Sequence, residues 1–270
     1  MPIARVGDIN MEYYVEGKGP PLLMINGFGL SAHTWGEPFL AQLRSHLRVI
    51  RFSNRGTGLT DTPDAEYTVQ MMADDAAGLL GELGINRAHV LGISMGGRIG
   101  QELVLRHPEQ VQGLVLGCTA CGGTHEVQRE PEVTALFAPT PCLSPQEQTR
   151  KIWSGFVTPE FLEKERDALE EAFRWELENP IPAYVLGRQA AVSMRHDTYE
   201  RLPHVQAPTL IIHGDRDRTV PVQNAHILHE RIPNSTLHLL PNVGHGFFWE
   251  QPQESAQAIV EFLSSVPAPA

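Results

Sequence analysis

Short apolar segments alternate with longer amphipathic segments along most of the chain. Seven short runs rich in apolar and β-branched residues predict strands, at 11–15, 21–25, 47–52, 88–93, 113–118, 209–214 and 236–240. Apolar residues at helical spacing predict helices at 67–84, 98–109, 222–233 and 253–265. Strands that alternate with helices indicate right-handed βαβ units and a mainly parallel sheet, which is the α/β fold class.

Residues 122–202 interrupt this alternation. The segment contains seven prolines and no convincing strand, and the stretch 159–178 has helical character. Because the segment is inserted between two predicted strands, we expect a helical cap over 122–202. The α/β core is then formed by 1–121 and 203–270.

Composition and charge indicate which kinds of binding partner this protein can have. The chain has 270 residues, of which 41% are hydrophobic and 20% charged, as in ordinary soluble globular proteins. Its formal net charge of −11 argues against a nucleic-acid partner, which would require basic patches. No apolar run is long enough to span a membrane, and the N-terminus lacks the apolar segment of a secretory signal. With an odd number of cysteines, three in all, the sequence predicts reduced thiols and a cytoplasmic protein.

Two of these cysteines form a Cys118-x-x-Cys121 pair with His125 nearby. The pair could be a redox centre or half of a zinc site. Structural zinc usually takes four ligands, and a second pair is missing. We favour two small buried residues at the end of strand 113–118, and we expect neither a metal nor a cofactor.

The residues that follow each strand are candidates for chemistry, because open parallel sheets bind ligands beyond the carboxyl ends of their strands. Ser94 follows 88–93 within a G-x-S-x-G motif and precedes a helix, as a nucleophile elbow requires. Gly92 and Gly96 permit the close backbone approach of such a turn. The Met95 N–H, at the start of the helix, could face an oxyanion. A glycine-rich turn with an incidental serine is the alternative, and the strand–turn–helix setting favours the nucleophile.

Two further strand ends carry an acid and a histidine. Asp215 and Asp217 follow 209–214, and His245 lies between two glycines after 236–240. A carboxylate at a strand end can instead cap the next helix. The chain order serine, aspartate, histidine is that of α/β-hydrolases and differs from that of chymotrypsin and subtilisin.

On these residues the sequence resembles the α/β-hydrolase superfamily, and within it small serine esterases and enol-lactonases. The motifs that carry the resemblance are NGFG (26–29), NRGTG (54–58), GISMGG (92–97), HGDRDRTVP (213–221) and GHGFFWEQP (244–252). The resemblance implies an eight-stranded, mostly parallel sheet flanked by helices, with a helical cap inserted after the sixth strand. It assigns the acid of a catalytic triad to Asp217 rather than Asp215, and the second oxyanion-hole N–H to Phe28.

The sequence departs from the family pattern at two positions. Asn26 stands where many relatives have histidine before the glycine, and Ser53 where many have aspartate before x-Arg-Gly-x-Gly. The first could alter how the oxyanion loop is held, and the second how the turn at Arg55 is anchored.

A dinucleotide-binding loop is a separate interpretation of the same region. Gly27, Gly29 and Ala32 fit G-x-G-x-x-[GA] after a strand. That fingerprint needs an acidic residue about 20 positions further on. The next strand is followed instead by Ser53-Asn54-Arg55. An oxidoreductase would therefore have to bind NADP, with Arg55 contacting its phosphate.

The most direct prediction is a carboxylic-ester hydrolase that forms an acyl-enzyme, with Ser94 as nucleophile, His245 as base and Asp217 as acid. We expect a small-molecule ester of moderate size and no charge. Lactone hydrolysis is the nearest alternative, followed by carbon–carbon-bond hydrolysis, a cofactor-free haloperoxidase or perhydrolase, and a non-catalytic ligand-binding relative. The oligomeric state does not follow from the sequence.

The cap contributes candidates for the substrate pocket. The aromatic residues predicted to bind substrate are Trp153, Phe156, Trp175 and, just after the catalytic histidine, Phe247. Four polar residues could meet a substrate carboxylate, although a surface or capping role is favoured for each: His125, Arg188, Arg195 and His196.

Overall fold

Eight strands form one sheet in the computed structural model, which describes residues 2–267. In chain order they are β1 (Ile3–Val6), β2 (Ile9–Glu16), β3 (Pro21–Ile25), β4 (Arg48–Phe52), β5 (Ala88–Ile93), β6 (Val111–Gly117), β7 (Thr209–Gly214) and β8 (Ser235–Leu240). The predicted fold class is confirmed. Residue 1 and residues 268–270, the ends of the predicted core, lie outside the described residues.

The strand order is β1-β2-β4-β3-β5-β6-β7-β8. The pairs β1–β2 and β2–β4 are antiparallel, and the remaining neighbours are parallel. The apolar pattern did not predict β1, because this strand has four residues and every second one is exposed. Consequently β5, the strand before Ser94, lies in the middle of the sheet.

The described residues also contain twelve α-helices. They are α1 (Glu37–Arg44), α2 (Val69–Glu82), α3 (Met95–Arg106), α4 (Pro131–Phe137), α5 (Pro145–Phe156), α6 (Pro159–Lys164), α7 (Arg166–Ala172), α8 (Arg174–Glu178), α9 (Ala183–Arg195), α10 (Gln223–Arg231), α11 (Phe247–Glu250) and α12 (Pro252–Ser265). Among these residues, none of the helices combines the length and apolar character that crossing a membrane demands.

Helices cover both faces of the sheet. Leu23 and Ile25 of β3 pack with α2 and α3, whereas Leu22 and Met24 of the same strand pack with α1 and α12. Burial on both sides explains why the central strands are continuous apolar runs rather than alternating ones.

Helices α4–α9 lie between β6 and β7, where the cap was expected. The stretch 159–178 forms three short helices, α6–α8, and Leu169 and Phe173 are buried. The two ends of the insertion come together through a bridge between Gly122 and Asp197 and through the Thr198 N–H, which donates to the Cys121 carbonyl at 2.9 Å. We propose 122–202 as the cap on this basis.

Glu12 of β2 supplies a carboxylate next to Ser53. Its buried carboxylate accepts hydrogen bonds from the Ser53 hydroxyl at 2.7 Å, the Tyr14 hydroxyl at 2.9 Å and the Leu59 N–H at 3.0 Å, and it lies 2.9 Å from His33 Nε2. Burial alone would raise the pKa of Glu12, but these hydrogen bonds together lower it to about 2.

The turn that follows is anchored by a second buried carboxylate. Arg55 donates two hydrogen bonds to Asp75 of α2, at 2.6 and 2.7 Å, and both side chains are buried. Ser53 in turn accepts the N–H of Ala32 at 3.0 Å. The serine therefore links the Glu12 carboxylate to the loop after β3.

Replacing Glu12 by glutamine should lower the free energy of unfolding at pH 7 by about 2 kcal/mol, because an amide NH₂ would face the Ser53 and Leu59 donors. The folded-state pKa lies below the ordinary value of 4.5, so the carboxylate stabilises the fold above that pH and loses this effect as the pH falls towards 2. Urea unfolding from pH 2.5 to 7 should show a difference between wild type and Glu12→Gln that narrows below about pH 4.5. The exposed Glu82→Gln variant should match wild type throughout, and a Glu12→Gln difference independent of pH would contradict the assignment.

Candidate active site

Ser94 lies at a sharp turn between β5 and α3. Its backbone has φ 53° and ψ −120°, a conformation that residues other than glycine rarely adopt. The Ser94 N–H donates to the Gly117 carbonyl at 2.9 Å, and the Ser94 carbonyl accepts the Thr119 hydroxyl at 2.7 Å. These bonds hold the strained turn, and Ser94 lines a cavity beyond the strand ends.

The glycines on either side of Ser94 are required by backbone contacts. A side-chain carbon at Gly92 would lie 2.2 Å from the Gly96 carbonyl oxygen. One at Gly96 would lie 2.1 Å from the carbonyl oxygen of Ile25, the last residue of β3. Any larger residue would therefore force β3, β5 and α3 apart.

Asp217 and His245 are joined by a hydrogen bond. His245 Nδ1 lies 2.7 Å from Asp217 Oδ2, whereas the exposed Asp215 accepts the Asn242 N–H at 2.7 Å instead. His245 lines the same cavity as Ser94, although the two side chains do not hydrogen-bond to each other in this structure. Catalytic hydrogen bonds are often longer before substrate binds.

The Asp217 carboxylate is buried and fully engaged. Its Oδ1 accepts the N–H groups of Thr219 at 2.8 Å and Val220 at 2.9 Å, and its Oδ2 lies 3.1 Å from His213 Nε2 as well as near His245. Burial alone would raise the pKa of Asp217, but the two imidazoles lower it to about 2. An ionised acceptor at neutral pH requires His245 Nδ1 to carry the proton, which leaves Nε2 free to act as a base.

The loop after β3 passes directly beside Ser94. A side-chain carbon at Gly27 would lie 3.2 Å from Ser94 Cβ. Phe28 follows Gly27 in this loop. Within residues 2–267, neither the Phe28 N–H nor the Met95 N–H donates a hydrogen bond to a backbone or side-chain acceptor. The Asn26 side chain donates to the Ser31 carbonyl and so holds the loop from inside.

The cap holds this loop from outside. Glu176 of α8 is buried and accepts the Ser31 N–H at 3.1 Å, together with the hydroxyls of Ser31 and Thr34. Gln189 of α9 is also buried and accepts the Gly29 N–H at 2.9 Å. Burial raises the pKa of Glu176 in spite of its hydrogen bonds. Two N–H groups shortly after Phe28, those of Gly29 and Ser31, are thus bonded to cap side chains.

The loop that carries His245 is bonded to the cap in the same manner. Glu250 accepts the Gly244 N–H at 2.8 Å with one oxygen and the Thr158 N–H at 3.2 Å with the other. The Gly246 N–H donates to the Phe156 carbonyl at 2.6 Å. Both neighbours of His245 are therefore connected to the end of α5 and the start of α6.

A cavity of about 210 Å³ opens above Ser94 and His245. Much of its apolar wall consists of aromatic side chains from two places: Phe137 and Phe156 of the cap, and Phe248 and Trp249 of α11. The His245 ring stacks on Phe156 with 5.5 Å between ring centroids.

The structure corrects three of the four aromatic residues predicted to bind substrate. Phe156 lines the cavity. Trp153 is buried inside the cap, Trp175 stacks on His33 with 4.2 Å between centroids, and Phe247 is buried in the core. Helical spacing identifies an apolar face but does not tell whether that face meets a cavity or a neighbouring helix.

Sequence reasoning missed other residues of the site. Phe248 and Trp249 follow Phe247 directly in the FFWE segment, so the aromatic run was a signal, but only the orientation of α11 decides which ring reaches the cavity. His213 lies in the HGDRDRTVP motif, but the sequence did not predict its contact with Asp217.

The polar residues considered for a substrate carboxylate lie elsewhere. Arg188 and Arg195 pair with exposed acidic residues, His125 stacks on Tyr199, and His196 is buried. None of them lines the cavity. Two other arginines line it, Arg98 and Arg129.

One cluster offers a set of metal-ligand atoms. Cys118 Sγ, an Asp217 oxygen and a His245 nitrogen lie within 4.8 Å of one another. Burial raises the pKa of the Cys118 thiol well above its ordinary value, and it raises that of Cys121 to about 11. Metal binding and redox exchange both need a thiolate, which burial disfavours at both cysteines. Cys118 therefore suits a buried neighbour of the Asp217–His245 pair better than a metal ligand or a redox group.

The dinucleotide interpretation of the glycine loop lacks its structural context. That motif places a helix N-terminus against the pyrophosphate. Here the chain after Gly29 continues through turns, and α1 begins only at Glu37. The loop instead adjoins Ser94.

Comparison with known proteins agrees with this architecture. The model of the alpha/beta hydrolase family matches residues 22–258. A 2-hydroxymuconate semialdehyde hydrolase from Pseudomonas sp. (strain CF600) is 30% identical over 276 residues, covering 97% of this chain and 93% of that protein. A solved meta-cleavage product hydrolase from Pseudomonas fluorescens IP01 has a TM-score of 0.81 and 26% identity, covering 99% of this chain and 98% of that one. An esterase from Rhodococcus sp. ECU1013 has a TM-score of 0.84 and 27% identity, covering 98% of both chains.

Replacing Glu176 by alanine should lower kcat for a p-nitrophenyl ester by roughly tenfold or more, because the loop that carries the Phe28 N–H loses its cap anchor. Glu176→Gln should retain most of the activity, since its amide oxygen can still accept the Ser31 N–H. The exposed Glu178→Ala variant on the same helix is the control, and thermal unfolding checks that each variant folds. Equal losses in the alanine and glutamine variants, or no loss in either, would count against this positioning role.

Proposed function

The chain belongs to the α/β hydrolase family and is a hydrolase, and from that premise we propose that it cleaves carboxylic esters through an acyl-enzyme intermediate. One observation carries the proposal: the Asp217–His245 hydrogen bond of 2.7 Å lies at the cavity into which the strained turn presents Ser94. A serine becomes a useful nucleophile when a base that is itself oriented by a third group stands beside it.

In the proposed first half-reaction, Ser94 Oγ attacks the ester carbonyl carbon while its proton passes to His245 Nε2. The carbonyl oxygen becomes an oxyanion, which accepts hydrogen bonds from the N–H groups of Phe28 and Met95. Collapse of this intermediate breaks the carbon–oxygen bond, and His245 returns the proton to the departing alcohol. The acyl group is then bonded to Ser94.

In the second half-reaction, water attacks the acyl carbon and gives its proton to His245. The second intermediate collapses, the carboxylic acid leaves, and Ser94 recovers its proton from His245. Asp217 stays a carboxylate throughout, in keeping with its pKa of about 2, and stabilises the imidazolium. All proton transfers use this chain's own residues and water.

The size of the cavity favours short acyl chains. Pockets for drug-sized ligands usually enclose roughly 300–1,000 Å³. The cavity here measures about 210 Å³, and its aromatic walls are packed against each other, with Phe137 and Phe156 at 5.7 Å between ring centroids. A long acyl chain would have to displace these rings.

A second candidate is the hydrolysis of a meta-cleavage product. It is favoured by the 30% identical 2-hydroxymuconate semialdehyde hydrolase and by the likeness to a solved meta-cleavage product hydrolase. The ester reaction ranks first because the triad geometry by itself suffices for it, and because a solved esterase is an equally near structural relative.

We expect wild type to hydrolyse p-nitrophenyl esters with the highest kcat/KM between acetate and butyrate and a decline towards decanoate. Ser94→Ala should reduce the rate by about three orders of magnitude or more without changing the unfolding midpoint, because only the nucleophile is lost. The exposed Ser264→Ala variant is the matched control.

Persistent ester turnover in a folded Ser94→Ala protein would overturn the nucleophile. Absence of ester turnover in wild type, together with turnover of 2-hydroxymuconate semialdehyde, would favour the second candidate.

A further inference from the structure

Arg129 lines the cavity without an acidic partner. The other cationic side chain there, Arg98, forms a bidentate pair with Glu126 at 2.6 and 3.0 Å. Arg129 is half-buried, and within residues 2–267 its guanidinium makes neither an ion pair nor a hydrogen bond with the protein. Removing part of an unpaired charge from water has a cost in free energy, which an anionic ligand beside Arg129 would offset.

The chain that leads to Arg129 is held firmly against the core. Glu126 is fixed by Arg98 of α3. Val127 is fixed by Asn224 of α10, which is fully buried and bonds both the N–H and the carbonyl of Val127 at 2.9 Å. These contacts give Arg129 a defined position before any ligand arrives, which lowers the entropy cost of binding.

The guanidinium of Arg129 is also oriented. Its Cζ lies 4.6 Å from the ring centroid of Phe137, in a cation–π contact, and Phe137 itself lines the cavity. When the flat face of a guanidinium covers a ring, its N–H groups point outward in the same plane and can bind a carboxylate in two places. Burial lowers the pKa of Arg129, yet an arginine remains a cation in proteins.

The two arginines that line the cavity differ in their bonding partners. Arg98 is paired with Glu126, and the carboxylates that act electrostatically on Arg129, those of Glu126 and Asp217, bond to Arg98 and to His245 and His213 instead. The N–H groups of Arg129 are therefore left for a ligand. This feature differs from the uncharged substrate expected from the sequence, because the arginines considered there lie outside the cavity.

We propose that the natural substrate is an ester that carries a second, free carboxylate, and that Arg129 binds this carboxylate. The inference rests on the proposed ester hydrolysis and names its substrate class. The carboxylate belongs to either the acyl part, as in a half-ester of a dicarboxylic acid, or the alcohol part, as in an acylated hydroxy acid. In both cases its pairing with Arg129 positions the ester carbonyl at Ser94.

Titration of released acid at constant pH can test this with matched substrates. Monomethyl glutarate is compared with dimethyl glutarate, and 3-acetoxypropanoate with its methyl ester. Wild type should prefer the charged member of at least one pair. Arg129→Gln should lower kcat/KM for that member by roughly ten- to a hundredfold, which is the usual effect of losing hydrogen bonds to a charged group. It should change kcat/KM for the neutral member by less than about twofold. Arg129→Lys should be intermediate, since it keeps the charge but loses the bidentate geometry.

The exposed Arg5→Gln variant, which changes the net charge equally, should behave as wild type. If Arg129→Gln affects charged and neutral members alike, or if wild type prefers the neutral member of both pairs, the inference fails while ester hydrolysis stands. If wild type hydrolyses none of these esters, the proposed function itself is in question.

Binding measured without turnover separates these two failures. Calorimetric titration of glutarate into Ser94→Ala should give a heat that is lost in the Ser94→Ala/Arg129→Gln double variant. Equal binding to both proteins would overturn the role of Arg129 whatever the reaction is.

Discussion

The close contact of backbone with backbone at the strand ends is the constraint on which the site depends. Gly92 and Gly96 let β3, β5 and α3 meet around Ser94 with no room for a side-chain carbon. At the other end of the site, a side-chain carbon at Gly214 would lie 2.3 Å from the carbonyl oxygens of both Val243 and Gly244. The acid loop and the histidine loop can approach each other only because that residue is glycine. The strained backbone of Ser94 persists because these contacts leave it no relaxed alternative.

The cap completes the site rather than merely covering it. Glu176 and Gln189 hold the loop after β3, and Glu250 connects the loop of His245 to the start of α6. Part of the aromatic wall of the cavity, Phe137 and Phe156, also comes from the cap. A movement of the cap would therefore change the substrate pocket and the catalytic loops together, so specificity and rate are coupled in this architecture.

The carboxyl groups of the site differ in the direction in which their pKa values are shifted, and their hydrogen-bond partners differ as well. Asp217 faces two imidazoles that can become cations, and its pKa is lowered to about 2. Glu176 and Glu250 receive hydrogen bonds mainly from neutral hydroxyl and N–H groups, and burial raises the pKa of each. At Glu176 and Glu250 the hydrogen bonds offset only part of the effect of burial, whereas at Asp217 the two imidazoles outweigh it. The proposed catalytic acid is thus the one whose pKa is lowered.

The sequence by itself determined the alternation of strands and helices, and it predicted the cap insertion and the candidates Ser94, Asp215 or Asp217, and His245, with the family resemblance favouring Asp217. Each of these depends on residues close together in the chain: an apolar run, a glycine-flanked serine, or an acid directly after a strand. Only the tertiary structure decided that the Glu12 carboxylate bonds to Ser53, that Trp153 and Trp175 lie away from the cavity, and that Glu126 is paired with Arg98 rather than with Arg129. These outcomes depend on which side chains meet across the fold, and the pairing of a charge is set by all the groups packed around it, which no local pattern records.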